Sequence, residues 1–132
     1  MIGREHKDKG GSMVELVLVL PVLVLVLCGI IDLWRAFHDY IVISNASREG
    51  ARYASRYPNN ETGIKTTARD EAVSTGVPIS SSLITVAGLN AASGNPITVT
   101  VRYPFQTILA RIVGVRTITL TAQTQMLVFG YD

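Results

Sequence analysis

With 132 residues, the chain is long enough for one small folded domain and a membrane segment, but too short for two ordinary domains. Its twelve basic and ten acidic side chains are interspersed and give a formal net charge of +2. This balance argues against a nucleic-acid-binding protein, because there is neither a basic patch nor an acidic tail. The single cysteine, Cys28, cannot form an intramolecular disulfide.

The first element is an apolar run near the amino terminus. Residues 14–37 are apolar except for Glu15, Asp32 and Arg35. About 20 helical residues span a hydrocarbon core of roughly 30 Å, so the run predicts one transmembrane helix over about 14–37. Pro21 lies inside it, and a proline is tolerated in a membrane helix because local adjustment satisfies the freed carbonyl.

Flanking residues predict how this helix is placed in the membrane. Trp34 and Phe37, together with Asp32 and Arg35, form a predicted interfacial belt at the far end of the run. The run is preceded by the basic residues Arg4, Lys7 and Lys9. The excess of positive charge before the run favours a cytoplasmic amino terminus, with the rest of the chain outside.

A cleavable secretory signal is the main alternative for the apolar run. No small-x-small cleavage site follows it, and the sequence continues as a helix beyond Leu33. A lipoprotein site at Cys28 is a second alternative, but the preceding Leu27 is large. Both alternatives therefore fit less well than a membrane helix.

The helical pattern continues beyond the apolar run. Side chains recur at helical spacing at Leu33, Phe37, Ile41, Ser44 and Arg48. The next strong helix breaker is Pro58. A single rod from about Ser12 to Tyr57 is predicted, and at 1.5 Å per residue it would be roughly 65–70 Å long.

The remaining sequence predicts a short helix and a small sheet. The helix is expected over Glu61–Thr75, and three strands over Leu83–Ala87, Ile97–Tyr103 and Arg116–Val128. Turn-forming residues join the first two strands, which indicates an antiparallel hairpin. A helical pattern separates the last two strands. One face of the sheet needs cover, and the long helix is the expected lid, so the fold class is α+β.

Two stretches resemble the TadE-like proteins, the minor pilins (pseudopilins) of Tad or Flp type IVb pili. The first is Gly10-Gly11-Ser12-Met13-Val14-Glu15 followed by an apolar run containing a proline, which resembles the family's processing site and membrane helix. The second is Asn45-Ala46-Ser47-Arg48-Glu49-Gly50-Ala51-Arg52-Tyr53-Ala54, which looks like a motif at the end of the family's long helix. The resemblance covers about the first 57 residues. It implies a type IV pilin-like fold.

The resemblance implies that residues 1–10 are a leader that prepilin peptidase removes by cleavage after Gly10. Gly11 would then be the first mature residue and Glu15 the fifth. Cleavage after Gly11 is the alternative.

A carboxylate inside hydrocarbon is costly unless it is paired, and the freed amine of a neighbouring subunit could neutralise Glu15. The competing interpretation is that Glu15 lies in the headgroup layer. Residues 11–57 would form the long helix and residues 58–132 an extracytoplasmic domain.

The second motif is interpreted as a helix packing site. Arg48 and Arg52 share one helix face, and Glu49 can pair with Arg52 or Arg56. Gly50 and Ala51 allow close approach of another backbone. The partner could be the chain's own sheet or a helix of another subunit. An exposed ion pair at this spacing contributes only about 0.2–0.5 kcal/mol.

No catalytic, cofactor or metal site is predicted. His38 is the one histidine after the predicted leader, and together with a cysteine in the membrane segment it cannot form a metal-ligand set. An enzyme is therefore not expected.

The resemblance implies a minor pilin that acts in assembly or initiation of a pilus used for adhesion or secretion. Its implied partners are other pilin subunits, prepilin peptidase and the inner-membrane assembly platform. The implied location of the chain is the bacterial cytoplasmic membrane. The alternative is an unrelated single-pass membrane protein with an extracytoplasmic binding domain.

Overall fold

The computed structural model describes residues 8–114 and 117–129. In chain order its elements are α1 (Asp8–Arg56), α2 (Glu61–Ser74), a 3₁₀ turn (Ser81–Leu83), β1 (Ile84–Ala87), β2 (Pro96–Phe105), α3 (Ile108–Val113) and β3 (Ile118–Leu127). Residues 1–7 of the predicted leader, and Arg116 at the predicted start of the last strand, lie outside the described residues. The α+β fold class is confirmed.

The long helix predicted from about Ser12 to Tyr57 is confirmed as one continuous element. Helix α1 has 49 residues, so at 1.5 Å per residue it is about 74 Å long. Pro21 lies inside it without ending it. The apolar part of α1 is long enough to cross a membrane, and its most apolar stretch has no buried side chain. One long apolar amino-terminal helix of this kind fits a membrane anchor.

The sheet is an antiparallel meander in the order β1-β2-β3. The predicted hairpin between the first two strands is confirmed, with Ile84 opposite Val101. On the other side of β2, Val99 lies opposite Thr124 of β3. Helix α3, expected from the helical spacing between the last two strands, joins β2 to β3.

The core lies between the carboxy-terminal half of α1, α2 and one face of the sheet. Completely buried side chains come from all three parts: Ile43, Ala46, Ala51 and Ala54 of α1, Ile64, Ala68 and Ala72 of α2, and Ile97, Val99 and Val101 of β2. The predicted lid is therefore correct, because α1 covers the sheet. Helix α2 also packs against α1 and closes one side of the core.

The side chains that pack in the core differ from those whose spacing indicated the helix. Leu33, Phe37 and Ile41 are 72%, 64% and 45% exposed. The packing face of α1 instead consists largely of small residues. At Gly50 a side-chain carbon would lie only 3.0 Å from Cβ of Ala68 and 3.2 Å from Cγ1 of Val99. Small residues are used because three elements approach one another closely at this point.

Candidate functional site

The amino-terminal half of α1 presents a long exposed apolar surface, here called the apolar rod (residues 13–31). Its exposed side chains include Met13, Val14, Leu16, Val17, Leu18, Val19, Leu20, Val22, Leu23, Val24, Leu25, Val26, Leu27, Ile30 and Ile31. A soluble monomer rarely exposes so much contiguous apolar surface, which usually marks contact with a membrane or another protein. The apolar rod is therefore the first part of the candidate site.

Glu15 is the acidic residue of the apolar rod. Its side chain is exposed and borders a shallow depression with Ser12, Leu16 and Val19. None of the described side chains forms an ion pair with it. The carboxylate is thus available to a group that another molecule, or the chain's own amino terminus, would supply.

The two glycines of the predicted processing site lie in the first turn of α1. Gly10 and Gly11 belong to the helix, which begins at Asp8. A side-chain carbon at Gly11 would have no atom within 4 Å. Nothing in the described part of the chain packs against this turn at Gly11.

The predicted packing motif has two sides in the structure. Gly50 and Ala51 are buried, and Gly50 faces Ala68 of α2 and Val99 of β2. Arg48 and Arg52 are exposed. Their neighbour Glu49 is within 3.8 Å of the Arg52 guanidinium, at the limit of an ion pair. The small residues of the motif therefore contact the chain's own core, while its charged residues face outward.

Asp32 has a role that the sequence did not reveal. Its side chain is only 5% exposed, in contrast to Trp34 (67%) and Phe37 (64%). Its two carboxylate oxygens accept hydrogen bonds from the backbone N–H groups of Ile108 (2.8 Å) and Leu109 (3.0 Å). The predicted interfacial belt did not include this contact: Asp32 is turned towards the folded domain, whereas Trp34 and Phe37 are exposed. The carboxylate instead satisfies free backbone donors at the start of α3, where a negative charge is favoured.

Further contacts hold α3 against the same part of α1. Thr107 caps α3, because its hydroxyl oxygen accepts a hydrogen bond from the Ala110 N–H at 2.9 Å. A side-chain carbon at Gly29 would lie 3.6 Å from Cδ1 of Leu109, so the helices are in close contact there. An acidic residue late in an apolar run and a threonine before an apolar segment were the available sequence signals. Neither signal shows that the acidic residue of α1 is in contact with the start of α3.

Arg35 extends this junction towards the sheet. Its guanidinium lies 3.4 Å from the Asp32 carboxylate and 5.3 Å from the centre of the Phe105 ring. Next to it is a cavity of about 490 Å³, which is also lined by Arg111 of α3. The junction between α1 and α3 is therefore both hydrogen-bonded and positively charged.

The described residues contain no group of three or more His, Cys, Asp or Glu side chains placed to hold a metal ion. His38 pairs with its neighbour, its Nδ1 lying 3.2 Å from Oδ1 of Asp39, and its ring stacks on Trp34. The geometry around these residues is that of a surface contact. It supplies no arrangement for catalysis.

The sequence profile of the TadE-like protein family matches residues 10–52. The match includes Gly10, Glu15 and the Arg48–Arg52 motif, and it ends before α2 and the sheet. The predicted resemblance to TadE-like proteins is thereby confirmed for this part of the chain. No curated protein and no solved structure matches the chain.

Proposed function

We propose that the chain is a minor pilin, or pseudopilin, which acts in the assembly or initiation of a Tad-type pilus. The observation that carries this proposal is Glu15, which forms an ion pair with none of the described side chains and lies on an exposed apolar rod inside the segment that matches the TadE-like family. In this function the apolar rod first anchors the protein in the cytoplasmic membrane. It then packs against the corresponding helices of other subunits when the filament forms.

Processing by prepilin peptidase after Gly10 is part of the proposal. The peptidase must reach an extended backbone, whereas Gly10 and Gly11 lie in the first turn of a helix. A glycine costs a helix about 1 kcal/mol relative to alanine, so two adjacent glycines make this turn easy to open. The pair would thus let the helix open at the cleavage site while the rest of α1 stays folded.

Glu15 sets the register between subunits in this proposal. A carboxylate in hydrocarbon is unfavourable by roughly 2.5–3.5 kcal/mol, and this cost falls when a cation pairs with it. After cleavage, the amine of Gly11 in a neighbouring subunit is a cation at the same end of the helix. Pairing of the two charges would favour one axial position of the neighbouring helices over the others.

The folded part of the chain would lie outside the cytoplasm. Ile43, Ala46 and Ala51 fix the carboxy-terminal half of α1 to the sheet and α2. The exposed Arg48 and Arg52 remain available to other subunits or to the assembly platform. Subunit contacts would therefore involve both the apolar rod and this charged surface.

Substitution of Glu15 tests the proposal. Glu15→Ala is expected to insert into the membrane normally, because the rod becomes more apolar, and to abolish pilus assembly. Glu15→Gln keeps the shape without the charge and is expected to assemble equally poorly. Glu61→Ala, which removes an exposed carboxylate of α2, is the matched control and should assemble normally.

The measurements are carbonate extraction of membranes for insertion and counting of pili by electron microscopy. Normal pilus numbers for Glu15→Ala at native expression would contradict the assembly role and would favour a position of Glu15 in the headgroup layer. Failure of the wild-type chain to enter the membrane would contradict the anchor itself.

A further inference from the structure

A charged cavity lies where the apolar rod meets the folded domain. It has a volume of about 490 Å³, opens to the surface, and is lined by Arg35 of α1, the end of β2 and α3. Phe105 and Ile108 supply apolar wall, and Arg35 and Arg111 supply positive charge. A cavity that combines two guanidinium groups with apolar walls suits a ligand with an anionic head and an apolar tail.

The position of the cavity along α1 points to the membrane boundary. A span of about 20 residues that begins at Val14 ends near Leu33, and Arg35 follows directly. Helix α3 lies on the membrane side of Arg35, since Ile108 and Leu109 contact Asp32 and Gly29. The exposed side chains of α1 at this level, such as Ile30 and Ile31, are apolar.

Helix α3 continues the apolar surface of the rod. Ile112 is 62% exposed, although it belongs to the segment that rests against α1. At the edge of a bilayer this side chain would contact acyl chains, as the exposed residues of the apolar rod would. Arg111 beside it can extend its charged end away from the hydrocarbon.

We propose that this cavity binds the phosphate group of an anionic phospholipid in the extracytoplasmic leaflet, an inference that rests on the membrane anchoring in the proposed function. Arg35 and Arg111 bind the phosphate, and the acyl chains lie along α3 and the apolar rod. Guanidinium groups suit this role because they present several N–H donors in one plane and bind phosphate in a bidentate manner.

The charges around the cavity support an anionic ligand. The carboxylate of Asp32 already accepts hydrogen bonds from the N–H groups of Ile108 and Leu109 as well as from Arg35. Its contact with Arg35 is long, at 3.4 Å, and leaves other N–H donors of that guanidinium available. Among the described side chains, Arg111 forms no ion pair. The cavity therefore carries an excess of positive charge.

The test uses the full chain reconstituted in nanodiscs of phosphatidylcholine and phosphatidylglycerol, with retained lipids counted by native mass spectrometry. The wild type is expected to retain phosphatidylglycerol preferentially. Arg111→Gln should lower this retention about tenfold, as the loss of one charge-assisted hydrogen-bonding partner predicts. Arg102→Gln, which removes an exposed arginine on the opposite face of the sheet, is the matched control and should retain the lipid as the wild type does.

A second variant and a second ligand make the test specific. Arg35→Lys keeps the charge but loses the planar donor geometry, so it should also lower the retention while the circular dichroism spectrum stays unchanged. In detergent, inorganic phosphate alone should not compete with phosphatidylglycerol, because it lacks the apolar tail.

Equal lipid retention by the wild type and Arg111→Gln would overturn the inference, as would full competition by inorganic phosphate. Both results leave the proposed pilin function intact. A chain that fails to enter the nanodiscs would instead contradict the membrane anchoring on which both proposals rest.

Discussion

The carboxylate of Asp32 accepts a hydrogen bond of 2.8 Å from the backbone N–H of Ile108, which lies 76 residues further along the chain. Together with the bond from Leu109, this contact fixes the connection between β2 and β3 to the end of the apolar rod. The folded domain is therefore held at one level of the long helix by a specific polar contact. Apolar packing alone would permit small shifts along the helix.

Asp32→Ala should loosen α3 without unfolding the sheet. The substitution leaves two part-buried backbone donors at the start of α3 without their acceptor, which weakens the attachment of α3 to α1. Amide hydrogen exchange of the full chain in detergent is expected to become faster at Ile108 and Leu109 and to stay unchanged in β2. Asp39→Ala, which removes a carboxylate seven residues away, is the control and should leave α3 protected. Unchanged exchange at Ile108 in the Asp32 variant would contradict this role.

Removal of the lid should prevent folding of the sheet. A fragment that starts at Asp32 keeps the buried face of α1 and the contact with α3, so it is expected to be soluble and folded. A fragment that starts at Pro58 exposes Ile97, Val99 and Val101 and should aggregate. A fragment that starts at Asp39 keeps the lid but loses Asp32, so it should fold with a lower melting temperature.

Size-exclusion chromatography and circular dichroism distinguish the three fragments. A monomeric, folded fragment starting at Pro58 would show that the sheet does not need α1. Identical melting temperatures for the fragments starting at Asp32 and Asp39 would show that the Asp32 contact adds nothing to stability.

Gly50→Leu should destabilise the fragment that starts at Asp32. Even the first side-chain carbon would lie 3.0 Å from Ala68 and 3.2 Å from Val99, and overpacking of a core costs about 1–3 kcal/mol. In a domain of this size each kcal/mol lowers the melting temperature by about 4–8 °C. Arg52→Leu, at an exposed position of the same motif, is the control and should melt as the wild type does. If Gly50→Leu left the melting temperature unchanged and still blocked pilus assembly, the glycine would face another subunit instead.

Ser47 and Thr124 should be energetically coupled. Their hydroxyl oxygens lie 2.7 Å apart between α1 and β3, and Ser47 is completely buried. A double-mutant cycle with Ser47→Ala and Thr124→Val is expected to give a coupling of about 0.5–1.5 kcal/mol in chemical unfolding. Ser74→Ala, which removes an exposed hydroxyl bonded within its own helix, is the control and should show a coupling energy near zero with Thr124→Val. A coupling near zero for Ser47 and Thr124 would mean that the two hydroxyls act independently.

Local sequence patterns were sufficient to predict the elements of this fold. The apolar run and the absence of a strong breaker before Pro58 gave the long helix, and alternation of apolar and polar residues gave β2. Such signals are contained within a few consecutive residues. The cover of the sheet by α1 also followed, because no other predicted element was large enough to bury it.

The junction at Asp32 could not be predicted in the same way. Its donors are backbone N–H groups, which every residue except proline carries, so the sequence of α3 does not reveal the contact. The packing face of α1 was predicted only in part. The motif indicated Gly50 and Ala51 as packing positions but left open whether their partner was the chain's own sheet or another subunit. Large apolar residues such as Leu33 and Phe37 dominate the helical pattern, yet they are exposed.

The central claim is that this chain is processed and assembled as a pilin, and the mass of the mature protein tests it most directly. Intact-mass analysis compares protein purified from cells with and without the prepilin peptidase. We expect the strain with the peptidase to yield a protein that lacks residues 1–10 and begins at Gly11, which makes Glu15 the fifth residue, and the strain without it to yield the unprocessed chain. A mature protein that begins at Ser12 would move the site to Gly11 and make Glu15 the fourth residue. An unprocessed mass in both strains would contradict the claim.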